Sequence, residues 1–71
     1  MATVRWDAIS GYIDNIFSID GRIARADVMA LAETDDASDD VIDAIDAIGS
    51  RMFTSPSDVR DFLTAQGYVA N

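Results

Sequence analysis

The chain has 71 residues, a net charge of −8, and neither cysteine nor histidine. That length predicts a single domain over residues 1–71, near the lower limit of what folds alone, since a domain this small buries only roughly 60% of the surface its unfolded chain exposes. Without cysteine there is no disulfide and no thiolate for zinc, and without histidine the usual general base and the commonest metal ligand are missing, so compact helix packing or self-association must supply the stability.

Val4 to Phe17 predicts the first helix. On a helical wheel Trp6, Ile9, Tyr12, Ile13, Ile16 and Phe17 fall on one side, and Asp7, Asp14 and Asn15 on the other. Thr3 is the expected N-cap. Gly11 inside this run costs roughly 1 kcal/mol against alanine, which predicts a close contact or a bend. Ser18 to Gly21 reads as a loop holding the turn dipeptide Asp20-Gly21. A second helix is expected from Ala24 to Glu33, with Ala24, Val28, Leu31 and Ala32 on one face.

Thr34 to Asp36 is a polar break, after which Ser38 should cap a third helix running to Ile48. Val41, Ile42, Ala44, Ile45 and Ile48 cover one arc of it, and Asp39, Asp43 and Asp46 the opposite arc. Asp39 and Asp40 sit in the first turn, where the helix dipole favours anions, whereas Asp46 sits near the unfavourable end. Gly49 occupies the place of a left-handed terminating residue. Arg51-Met52-Phe53 reads as a short extended link. Ser55 then caps a fourth helix, with Pro56 at its first position and Asp58 placed to bond back onto the cap. This helix should bury Val59, Phe62 and Leu63, end at Gly67, and let Tyr68 fold back on its last turn. These elements predict an all-α fold, a small compact bundle of four short helices around one core.

The stretch from Ala24 to Leu63 resembles a family of small, mostly actinobacterial proteins, the domain of unknown function numbered 2795. The matching residues are Arg25-Ala26-Asp27-Val28, Ala32, the run Asp40 to Ile48, Arg51-Met52-Phe53 and Ser55-Pro56-Ser57-Asp58-Val59. The family often has Leu-Pro where this chain has Ile48-Gly49. The resemblance implies the same helical order and no catalytic residue, and it does not reach the N-terminal segment with Trp6.

A hydrophobic content of 49% is too high for a disordered chain. The apolar runs are too short to span a bilayer. The N-terminal run Met1-Ala2-Thr3-Val4-Arg5 lacks the basic and apolar regions of a leader, so a cytoplasmic location is expected. Thirteen acids, twelve of them aspartate, face five arginines and no lysine. Such a surface repels nucleic acid and anionic lipid, so no direct nucleic-acid or membrane contact is expected. The acidity fits solubility, or adaptation to a salty cytoplasm or a GC-rich genome. It also fits a face that meets a basic protein or imitates DNA.

Asp35, Asp36, Asp39 and Asp40 invite a calcium reading, but an EF-hand loop counted from Asp35 would need a glycine where Asp40 stands and a glutamate where Asp46 stands. The acids are better read as capping groups on a solvated face, and no metal or other cofactor is expected. Asp39, Asp43 and Asp46 lie opposite the apolar arc, so burial would not raise their pKa values for acid–base work. With no nucleophile–base pair either, the chain is not expected to be an enzyme. Helices three and four could imitate a helix-turn-helix, but Asp58 and Asp61 beside Arg60 and Gln66 would meet phosphates. Arg22, Arg25, Arg51 and Arg60 should pair with nearby aspartates.

The sequence thus predicts a noncatalytic, acidic helical adaptor that binds a protein partner or forms a homo-oligomer. The expected contact residues are Trp6, Tyr12, Asp39, Asp43 and Asp46, since aromatic residues anchor binding surfaces. Reversing the charge of the three aspartates should weaken binding without unfolding. The alternatives are a nucleic-acid mimic that occupies a basic protein, and a weak divalent-metal or enzymatic protein.

Overall fold

The computed structural model describes residues 3–70, so Met1 and Ala2 of the run read for a leader, and Asn71, lie outside the described residues. Four α-helices carry most of these residues: α1 (Ser10–Asp20), α2 (Arg25–Thr34), α3 (Asp39–Asp46) and α4 (Pro56–Ala65). Four two-residue strands join them: β1 (Val4–Arg5), β2 (Ile23–Ala24), β3 (Met52–Phe53) and β4 (Val69–Ala70). The purely all-α expectation is therefore corrected to a helix-dominated fold with two small ladders. No helix among the described residues is long and apolar enough to cross a membrane.

The largest departure is at the N-terminus. Thr3 caps no helix, and Val4–Arg5 is extended rather than helical. β1 pairs in parallel with β4, with Val4 opposite Val69. The Val4 amide donates to the Tyr68 carbonyl at 3.0 Å, and Thr3 Oγ1 donates to the Gly67 carbonyl at 3.2 Å. Trp6–Ala8 then forms one 3-10 turn, closed by the Ile9 amide on the Trp6 carbonyl. The Trp6–Ile9 spacing that suggested an α-helix is equally the repeat of a 3-10 turn.

α1 begins at Ser10 and continues through the residues expected to form a loop, ending only at Gly21. That glycine has φ 72°, and its amide bonds the Phe17 carbonyl at 2.8 Å, a left-handed helix stop rather than the turn of a loop. The chain then runs extended through β2, which pairs antiparallel with β3, setting Ile23 opposite Phe53 and Ala24 opposite Met52. The expected extended link is thus one strand of a ladder, and Ala24 belongs to the other rather than to α2.

Ser38 caps α3 as expected, accepting from the Val41 amide at 3.4 Å. The helix stops at Asp46 rather than Ile48, and Ala47 to Gly49 form tighter turns, with Gly49 left-handed at φ 65°. At α4 Ser55 Oγ accepts from the Asp58 amide at 3.2 Å and lies 3.1 Å from Ser57 Oγ. Asp58 makes no return bond to the Ser55 amide, its side chain being one methylene shorter than the glutamate of a full capping box. Gly67 and Tyr68 close α4 as a Schellman motif, with the Tyr68 amide on the Leu63 carbonyl at 3.0 Å.

The core is wholly aliphatic. Ile9, Ile13 and Ile16 meet Ile23, Val28, Ala32, Val41, Ala44, Ile45, Ile48, Val59 and Leu63, with Val4 and Val69 closing one end. No polar or charged residue among those described is buried. Phe62 is only half-buried, a correction to its expected place in the core.

A Cβ on Gly11 would meet nothing within 4 Å, so the expected close contact is absent. Gly11→Ala should therefore raise unfolding stability by about 0.5–1 kcal/mol in a urea melt. Gly67 also has open space around it, but its φ is 84°. Gly67→Ala should lower stability by about 1–2 kcal/mol in the same melt, from backbone strain alone.

Candidate functional site

The outer face of α3 follows from the same periodicity that builds the core. Val41, Ala44 and Ile45 face inward, so Asp39, Asp43 and Asp46 are carried to the opposite, exposed side. The three carboxylates span about 10 Å of helix axis at 1.5 Å per residue. Asp39 and Asp43 make no ion pair or side-chain hydrogen bond among the described residues.

Asp46 is held by Arg25, whose Nη1 lies 2.8 Å from Asp46 Oδ1. Arg25 opens α2 and Asp46 closes α3, so each charge sits at the end of its helix that the dipole disfavours. α2 and α3 pack together, and the pairing brings the two misplaced charges into contact, where each offsets the other's penalty.

Tyr12 projects from α1 to the turn after α2. Its hydroxyl donates to Asp35 Oδ2 at 2.6 Å. Asp36 follows with φ 54°, an uncommon left-handed aspartate. The Asp36 amide bonds the Glu33 carbonyl and the Ala37 amide bonds the Ala32 carbonyl, completing a Schellman motif without glycine. The acidic break of the sequence is therefore a helix stop that leads directly into the cap of α3.

Trp6 stands apart from this arrangement. It is half-buried in its 3-10 turn, which packs on α1, while the preceding strand touches α3. Of the five expected contact residues, the three aspartates share one surface. Tyr12 is joined to the α2–α3 turn through Asp35, and Trp6 is packed against the core.

A second surface feature lies at β3. The Arg51 guanidinium sits 4.8 Å from the centroid of the Phe62 ring, and Phe62 lies 5.4 Å from Phe53 at 48°. The expectation that Arg51 pairs with an aspartate is corrected: its contact is cation–π. Arg25 does pair as expected, and Arg5 adds an exposed pair with Asp7 at 3.4 Å. Met52 and Ile19 are exposed large apolar residues. The packing of α4 against β3 brings Arg51, Phe53 and Phe62 together, and no local spacing announces it.

Among the described residues no pocket is present, and no three acids converge in the manner of metal ligands. No family model, characterised protein or solved structure matches the chain.

Two consequences are measurable. The hydrogen bond from Tyr12 to Asp35, then partial desolvation and the carboxylate charge, raise the phenol above its ordinary pKa of 10.0. A raised folded-state pKa means that this contact's stabilisation is full below pH 10.0 and is lost as pH rises through the folded value. In a Tyr68→Phe background, ultraviolet titration should show Tyr12 ionising above the ordinary value, and Asp35→Ala should lower it toward that value. For the charge pair, a double-mutant cycle of Arg25→Gln and Asp46→Asn should give a coupling of about 0.5 kcal/mol, weakening with salt.

Proposed function

We propose that this chain is a noncatalytic, acidic helical interaction module of the cytoplasm, and that the outer face of α3 is its contact surface. The observation that carries this reading is the division of α3. Its apolar residues are committed to the core, while Asp39 and Asp43 stand exposed and without a neutralising group among the described residues. A protein with net charge −8 that leaves carboxylates unpaired in a row favours a partner presenting basic groups at helical spacing. The resemblance of Ala24 to Leu63 to the domain of unknown function numbered 2795 fits a module of this kind and brings no catalytic residue with it.

The geometry narrows the test. Asp46 holds Arg25, and Asp39 lies in the favourable first turn of α3, so reversing all three charges would also cost stability. Neutralising Asp39 and Asp43 leaves the Arg25 pair intact. Asp39→Asn with Asp43→Asn should retain the helical circular dichroism of the parent and lose at least several-fold in affinity for proteins that the parent chain captures. Equal recovery by both baits would overturn the acidic-face reading. Release of the captured protein by added duplex DNA would favour the nucleic-acid-mimic version of the same face.

A further inference from the structure

In the N-terminal segment the local sequence and the tertiary structure disagree. Val4 to Phe17 carries helical periodicity, Thr3 is a residue type that caps helices, and Asp7 would lie near a helix start, where acids are favoured. Val4–Arg5 is nevertheless a strand, and Trp6–Ala8 is a 3-10 turn. Such a conflict between local preference and global fold narrows the gap between the two arrangements.

The junction accommodates both. α1 begins at Ser10, and no side-chain hydrogen bond fixes its start. Ile9, one residue earlier, already has right-handed helical angles, φ −120° and ψ −23°. Its carbonyl accepts from the Ile13 amide at 3.3 Å, as in an α-helix. The chain leaves the helical region at Arg5, where ψ is 145°. Turning Val4 and Arg5 into that region and relaxing the 3-10 turn would continue α1 backward while Ile9 keeps its fully buried place.

Little holds the strand form. The ladder with β4 is two residues long, the Val4 amide bonds the Tyr68 carbonyl at 3.0 Å, and the bond from Thr3 to Gly67 is exposed to water. Burial of Val4 opposite Val69 supplies the rest. A helix repeating every 3.6 residues would carry Val4 away from the stripe of Ile9 and Ile13, so that burial belongs to the strand form alone. Gly11 weighs on the same balance. No close contact calls for a glycine there, and in a lengthened helix it would be interior, where glycine is unfavourable against alanine.

From these features we infer that residues 4–9 are a strap that exchanges between a strand docked on β4 and a backward extension of α1. Docked, the strap covers Val69 and lies against α3. Released, it uncovers that end of the core and the edge of β4. The strap thus gates the flank of α3 beside β4, whether or not the acidic face of α3 binds a partner.

The test is nuclear magnetic resonance of the whole chain, reading the backbone carbon shifts of residues 4–9. In the parent, Val4 and Arg5 should read as strand. Val4→Ala removes the burial that favours the strand and raises helix preference, and Gly11→Ala removes the penalty on the longer helix. Each should move the shifts of residues 4–9 toward helical values, and the double variant further than either, with a matching gain of helical circular dichroism. Random-coil shifts in Val4→Ala would mean that the strap frays without forming helix. Strand shifts that stay unchanged in both variants would mean that no second arrangement is within reach. Either result overturns the inference. Gly11→Ala removes no contact, so it carries the test by itself if Val4→Ala fails to fold.

Discussion

Every helix in this protein is too short to persist by itself. The longest, α1, has eleven residues, below the length at which isolated helices hold in water. Burial of one aliphatic cluster must therefore stabilise all four at once. Ile13 of α1, Val28 of α2, Ile45 of α3 and Leu63 of α4 are each fully removed from solvent. A buried side chain of this size contributes roughly 1.5–3 kcal/mol, which no capping bond or surface pair matches. With no cysteine to form a disulfide that could share that task, the apolar positions of each helix are fixed by the core and are not free to make a partner surface.

The two ladders follow from the same economy of size. A chain this short must turn often, and each turn leaves backbone amides and carbonyls in need of partners. Pairing β2 with β3 satisfies the link into α2 and the link into α4 together. Pairing β1 with β4 joins the ends of the chain, with the whole helical body acting as the crossover that a parallel pair requires. Val4 and Val69 then cover an end of the core that the helices leave open.

Because the interior is closed to charge, every acid among the described residues lies at the surface, and function must be sought there. Local demands account for several of them. Asp39, Asp40 and Asp58 sit where helix dipoles favour anions, Asp35 receives the Tyr12 hydroxyl, and Asp46 compensates Arg25. Asp43 is required by none of these interactions, and Asp39 by the dipole alone. The unpaired part of the α3 face is in this sense surplus to folding. The arginine at Phe62 is likewise held by an aromatic ring in a molecule rich in carboxylates.

The sequence by itself determined the elements whose signals are local. Ser38 and Ser55 mark the starts of α3 and α4 because their hydroxyls cap amides three residues on. The apolar arc of α3 fixes which aspartates point outward, since a helix repeats every 3.6 residues. Gly49 and Gly67 mark left-handed stops for which glycine carries no steric cost, whereas Gly21, read as part of a loop, ends a helix that runs through that loop. The strands were not legible, because two residues are too few to show alternation. Nor was the start of α1, where a 3-10 turn mimics helical spacing until β4 claims the backbone of Val4. The bond from Tyr12 to Asp35, the Arg25–Asp46 pair and the stacking of Arg51 on Phe62 join residues distant in sequence. Only the packing of α1 on α2, α2 on α3, and α4 on β3 decides them, because side-chain reach across an interface depends on helix placement that no single segment encodes.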